Sequence, residues 1–146
     1  MLPPFNEAGD LPPGVYRTGL SEILARFGAG SLEREAAAAR LERVYAIALA
    51  TGHLARFVVF GSFVTDKPSP HDVDIVMLMN DGFDVGELAG EAAILFDHAA
   101  ADAHFGCSVF WVRKLAALGG EDDMIEGWQM KREGGFRGIV EIVADQ

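Results

Sequence analysis

Residues 57–79 read FVVFGSFVTDKPSPHDVDIVMLM, two apolar runs enclosing a polar loop. Phe57–Phe60 and Ile75–Met79 have the composition of buried strands, and Val73–Met79 reads as one strand whose entry is acidic. A side-chain period of two puts Asp72 and Asp74 on one face of that strand and Val73 on the other. Two carboxylates this close repel unless a cation bridges them or one takes a proton. Mg²⁺, or Mn²⁺ in its place, accepts one or two carboxylates together with phosphate oxygens and suits such a pair. Gly61-Ser62 leaves the first strand where backbone can approach a ligand closely. Free amides there suit a phosphate, and the Ser62 hydroxyl can add a hydrogen bond. Lys67 reads either as a phosphate contact or as a surface charge, and His71 either as a donor behind the aspartates or as an exposed loop residue. The plain alternative for Asp72 and Asp74 is a solvated strand entry.

Upstream, a short helix is expected at about 21–27, closed by Gly28 and Gly30, and a longer one from Ser31 to Gly52. Ala37, Leu41, Val44, Tyr45 and Ala48 share one face of the longer helix. The first strand then covers Arg56–Phe60. Residues 1–16 are rich in Pro and Gly and predict an extended arm, 1–17, held by Phe5, Leu11 and Val15 rather than a regular element. Downstream, Asp84 and Glu87 have capping-box spacing and predict a helix to about Ala103, with Val85, Leu88, Ala92, Leu95 and Phe96 facing a core. Cys107–Val112 predicts a third strand, and 121–126 a short acidic helix. WQMKREGGFRGIVEIV, residues 128–143, predicts two further strands around Gly134-Gly135. The class is α/β or α+β, a single domain over 1–146 with a small mixed sheet flanked by helices.

Composition narrows the function classes. With 146 residues, half of them hydrophobic, the chain can bury about two-thirds of its unfolded surface. The net charge of −10 and scattered basic residues argue against long nucleic acid, whose affinity comes from Lys and Arg on phosphate. A small metal-chelated nucleotide or a basic protein surface remains compatible. No apolar run reaches the roughly 18 residues a membrane span requires, and Met1–Pro4 lacks a signal-peptide pattern, so a cytoplasmic location without membrane association is expected. Cys107 is the single cysteine, which excludes an internal disulfide and reads as a buried, inert thiol. His98 and His104 lack zinc-ligand spacing and read as structural or surface residues. Trp111 and Trp128 read as packing residues.

GSFVTDKPSPHDVDIV, residues 61–76, resembles the Gly-Ser…Asp-x-Asp signature of the polymerase-β-like nucleotidyltransferase superfamily. The resemblance implies a nucleotidyltransferase-like domain, with Gly61 and Ser62 on the phosphates of a nucleoside triphosphate and Asp72 and Asp74 as catalytic metal ligands. FNEAGDLPPGVYRTGLSEILARFG (residues 5–28) and GFRGIVEIV (135–143) are similar to a family of small bacterial nucleotidyltransferase-like proteins, so the likeness spans nearly the whole chain.

The pattern also departs from that superfamily. Active members carry a third carboxylate on a later strand, which completes the metal site and serves as base. By position Ser108 occupies that place here, and Glu141 or Asp102 are the acids that could move in. Thr65-Asp66-Lys67 replaces the usual arginine-containing turn. Two functions follow as expectations. One is nucleotide transfer from Mg-NTP to a protein or small-molecule hydroxyl. The other is a catalytically weak or silent relative acting as a regulatory partner, for example the antitoxin facing a basic toxin. The apolar content is compatible with a homodimer.

Overall fold

The computed structural model describes residues 1–70 and 72–144. Five strands form one mixed sheet: β1 (Val15–Gly19), β2 (Leu54–Phe60), β3 (Val73–Met79), β4 (Cys107–Arg113) and β5 (Ile139–Val143). Their order across the sheet is β1-β5-β2-β3-β4. β2 runs antiparallel to both β3 and β5, whereas β3–β4 and β1–β5 are parallel. The helices are α1 (Leu20–Phe27), α2 (Leu32–Ala50), α3 (Glu91–Leu95), α4 (His98–Phe105) and α5 (Glu121–Gly127). The class is α+β.

The two faces of the sheet differ in cover. Alternate residues Phe57, Val59, Ile75, Met77 and Val140 enter the larger core with Leu41, Val44 and Ala48 of α2. Ser31 caps α2 by accepting from the Arg34 amide at 3.1 Å, and Tyr45 meets Phe57 edge-on at 5.0 Å. Cys107 lies in this core, its thiol pushed up to about 12, mainly by burial. The opposite face carries Val58, Val76, Leu78 and Ile139, covered by Ile125 of α5 and by Trp128. Asp74 projects to this thinner side, in phase with Val76 and Leu78. No described helix is long and apolar enough to cross a membrane.

Three expectations need correction. Residues 84–103 do not form one helix. The Asp84 carboxylate accepts from Gly86 at 2.9 Å, which closes only a 3₁₀ turn. Gly90 then takes a left-handed φ of 62°, and Asp97 caps a new helix by accepting from Ala100 at 3.0 Å. These short polar caps at Asp84 and Asp97 compete with helix continuation. Residues 128–138 form no strand. One bridge, Met130–Phe136, spans a turn in which Gly134 and Gly135 both have positive φ, and the charged side chains between them offer the sheet no apolar face.

The third correction is β1, which begins inside the expected arm and pairs Val15–Gly19 in parallel with Ile139–Val143. That strand is fixed by a partner 124 residues away, which local composition cannot show. The rest of the arm is anchored but not extended throughout, since residues 6–10 close into a turn in which the Asn6 side chain accepts from the amides of Ala8 and Asp10. Leu11 is fully buried, Phe5 packs on the core, and the Arg26 guanidinium lies 4.4 Å from the Phe5 ring.

Candidate functional site

β2 ends at Phe60, and the chain turns at Gly61 with φ 80° and ψ −163°. A side chain is excluded there for a second reason: a Cβ on Gly61 would stand 2.0 Å from Asp74 Oδ2. The glycine therefore lets the Asp74 carboxylate lie directly against the backbone at the turn. Ser62–Val64 form one 3₁₀ turn whose Phe63 and Val64 are buried, so Ser62 is held at the surface by a plug beneath it. Arg34 of α2 fixes the far side of this loop. Its guanidinium donates to the carbonyls of Phe27 and Phe63 at 2.9 Å, Thr65 at 2.7 Å and Lys67 at 2.5 Å. Burial lowers the Arg34 pKa, with Asp66 opposing the shift.

Strand register sets the floor. Asp74 sits opposite Phe60 on one side and Ser108 on the other. Asp72 is exposed at the strand entry and Asp74 is half-buried. Burial raises the Asp74 pKa, and the charge of Asp72 raises it further. Arg132, Arg137 and a hydrogen bond from Ser108 pull it partly back.

The segment after α5 forms the opposite wall of a cleft of about 630 Å³, a size suited to a small ligand. Lys131, Arg132 and Arg137 line it. Two of these cations are held from behind by Asp10, which is buried on the arm. Lys131 Nζ lies 2.8 Å from Asp10 Oδ2, and Arg137 lies 3.6 Å from Oδ1. Asp10 also pairs with Thr65 through the backbone, so the arm ties the loop after β2 to the basic wall. Phe60, Phe110 and Trp128 complete the lining on the apolar side.

Of the residues singled out from sequence, Gly61, Ser62, Asp72, Asp74 and Ser108 share this cleft. Lys67 does not line it. Its side chain is exposed and its backbone serves Arg34. Glu141 lies on the same face of the sheet but in a separate ion cluster. Arg56 grips it through two bonds, at 2.7 and 3.1 Å, and Arg17 adds a third. Asp102 is exposed on α4 and is not part of the lining. His71 falls outside the described residues. His98 reaches the cleft rim, with Nδ1 3.0 Å from the Val109 carbonyl oxygen and its ring 4.6 Å from Phe110. Asp10, the basic loop and the aromatic wall escaped sequence reasoning. Lys131-Arg132 is one of two adjacent basic pairs in an acidic chain, and that was the available signal.

The donor set bears on metal binding. Among the described residues no group of three or more His, Cys, Asp or Glu side chains could hold an ion. The Asp72–Asp74 pair offers two carboxylates whose repulsion a cation would relieve. That fits Mg²⁺ or Mn²⁺ bound mainly through water and ligand oxygens, and not a fully protein-enclosed site.

Residues 3–143 match a family described as Family of unknown function (DUF6932). The chain belongs to this family. No curated protein and no solved structure matches it. The match takes in every cleft-lining residue of this DUF6932 chain, from Phe60 to Arg137, and Asp10 behind the basic wall.

Proposed function

We propose that this DUF6932 chain is a polymerase-β-like nucleotidyltransferase relative that binds a nucleoside triphosphate with Mg²⁺ or Mn²⁺ in the cleft. The observation that carries the reading is the contact of Gly61 with the Asp74 carboxylate, which sets a phosphate-type turn directly beside the acidic pair. Asp72 and Asp74 hold the cation. Bound there, it supplies charge neutralisation and polarises a phosphoryl group toward attack. The Gly61-Ser62 turn holds phosphate oxygens, and Lys131, Arg132 and Arg137 draw the anion into an otherwise acidic molecule. The acceptor under this reading is a hydroxyl of a protein or small molecule.

A second reading has a specific observation behind it. Ser108 stands next to Asp74 where a base would serve, and Glu141 is gripped by Arg56. A serine hydroxyl is no base near neutral pH, which favours a protein that binds nucleotide without efficient transfer and acts on a partner, an antitoxin role among them. Calorimetric titration with Mg-ATP, followed by transfer of label from α-labelled ATP, tests both. Binding lost in Asp74→Ala supports the cleft assignment, and label transfer by wild type alone supports the enzyme. Equal binding by wild type and Asp74→Ala overturns the assignment.

A further inference from the structure

One wall of the cleft has no role in holding phosphate or metal. Phe60, Phe110 and Trp128 form a ring cluster, with Trp128 4.7 Å from Phe60 and 5.1 Å from Phe110. Phe110 is 37% exposed although it is a large apolar residue on a strand. Register places the cluster hard against the acidic floor, since Phe60 is the cross-strand partner of Asp74 and Phe110 lies two residues beyond Ser108 on the same face. The cleft is thus two-sided, with rings on one wall and carboxylates and cations on the other.

We infer that the Phe60–Phe110–Trp128 wall is a stacking shelf for the planar base of a nucleoside polyphosphate. The inference rests on the nucleotide reading above and adds the part of the ligand that reading leaves unassigned. A ring system gains contact with the rings only if its charged end can reach the turn and the basic loop at the same time, and both lie in one cleft of small-molecule size. His98, whose ring lies 4.6 Å from that of Phe110, already has Nδ1 engaged by the Val109 carbonyl. Every nucleobase presents an aromatic face, so stacking contributes affinity with little discrimination between bases.

The test compares Mg-ATP, Mg-CTP and magnesium tripolyphosphate binding to the full chain by calorimetry, in wild type, Phe110→Ala and Trp128→Leu. The variants' thermal transitions serve as the check on folding. The expected result is that wild type binds both nucleotides at least about fivefold more tightly than tripolyphosphate, because each stacked base contributes on the order of one to three kcal/mol. Either variant should erase that preference and leave tripolyphosphate binding unchanged. Equal affinity of wild type for tripolyphosphate and the nucleotides overturns the shelf while leaving the phosphate and metal assignment standing. Failure of all three to bind overturns both. A wild-type dimer that becomes monomeric on Phe110→Ala also overturns the shelf, since the rings would then be a subunit contact.

Discussion

Asp10 and Lys131 are 121 positions apart in the chain, and their charged atoms meet at 2.8 Å behind the basic wall of the cleft. The same carboxylate faces Arg137, and its backbone pairs with Thr65. The pair holds the Lys131 amine above its usual pKa, so it remains charged throughout the neutral range. Asp10→Asn keeps the size of the side chain and removes the charge. We expect it to weaken Mg-ATP binding severalfold with greater sensitivity to salt, and to lower the thermal midpoint slightly. Calorimetry at two ionic strengths reads the first effect, and unchanged affinity would show that the arm does not order the wall.

Gly61 is constrained twice, by its positive φ and by the Asp74 carboxylate where a Cβ would go. Gly61→Ala should therefore cost about 1–3 kcal/mol of stability through backbone strain, with a further cost from displacing Asp74. Adding Asp74→Ala removes the clash but not the strain. The double variant should recover part of the loss, a non-additivity that denaturant unfolding of the four proteins would reveal. Strict additivity would mean the two residues do not press on each other.

Asp74 links stability to pH. Its folded pKa lies above the ordinary aspartate value because of burial and the charge of Asp72. A raised carboxylate pKa favours the folded state at low pH, and this contribution is lost as pH rises through the folded pKa. Asp74→Asn should thus be more stable than wild type at pH 7, with the gap closing as pH falls below the raised pKa toward the ordinary range near 4. Mg²⁺ should raise the midpoint of wild type only. Thermal melts from pH 4 to 8, with and without Mg²⁺, check both signs.

The elements legible in the sequence were those specified locally. Val73–Met79 and the long helix carry their own periodicity and caps, and Gly61, Ser62, Asp72 and Asp74 lie within one short stretch of chain. What sequence could not show depends on distant partners. β1 exists because Ile139–Val143 lies beside it, and the basic wall faces Asp74 because Asp10 anchors it. Glu141 was a reasonable acid by strand position, but the competing claim of Arg56 becomes visible only once β2 and β5 are paired. The helix expected over 84–103 failed for a local reason, namely that Asp84, Gly90 and Asp97 each supply a rival terminus.

Arg34 is the strongest single support of the loop between β2 and β3. Four carbonyls accept from one buried guanidinium, and no other described donor is bonded to those of Phe63 and Lys67. Arg34→Met keeps much of the apolar stem and strands those acceptors. A loss of about 3–5 kcal/mol is expected, measured by denaturant unfolding, because each unsatisfied buried acceptor carries a cost of about 1–3 kcal/mol and some will find water. Arg34→Lys should recover only a minor part, since an ammonium cannot span four acceptors set in a fork.

Ser108 offers a gain-of-function test of the acidic floor. It faces Asp74 across the parallel β3–β4 pair and already donates to its carboxylate. Ser108→Asp would place a third acid beside Asp72 and Asp74, where like charges on adjacent strands repel. Without divalent metal the variant should melt below wild type, and the deficit should grow as pH rises. With Mn²⁺ the order should reverse, because the bound cation relieves the repulsion and the third carboxylate adds a ligand. A Mn²⁺ titration followed by electron paramagnetic resonance reads the affinity directly, and a tighter site in Ser108→Asp than in wild type is the expected outcome. If Mn²⁺ binds the two proteins alike, position 108 is not part of the metal-facing floor. If the variant also gains transfer of labelled nucleotide, the serine is what holds the natural chain to binding without turnover.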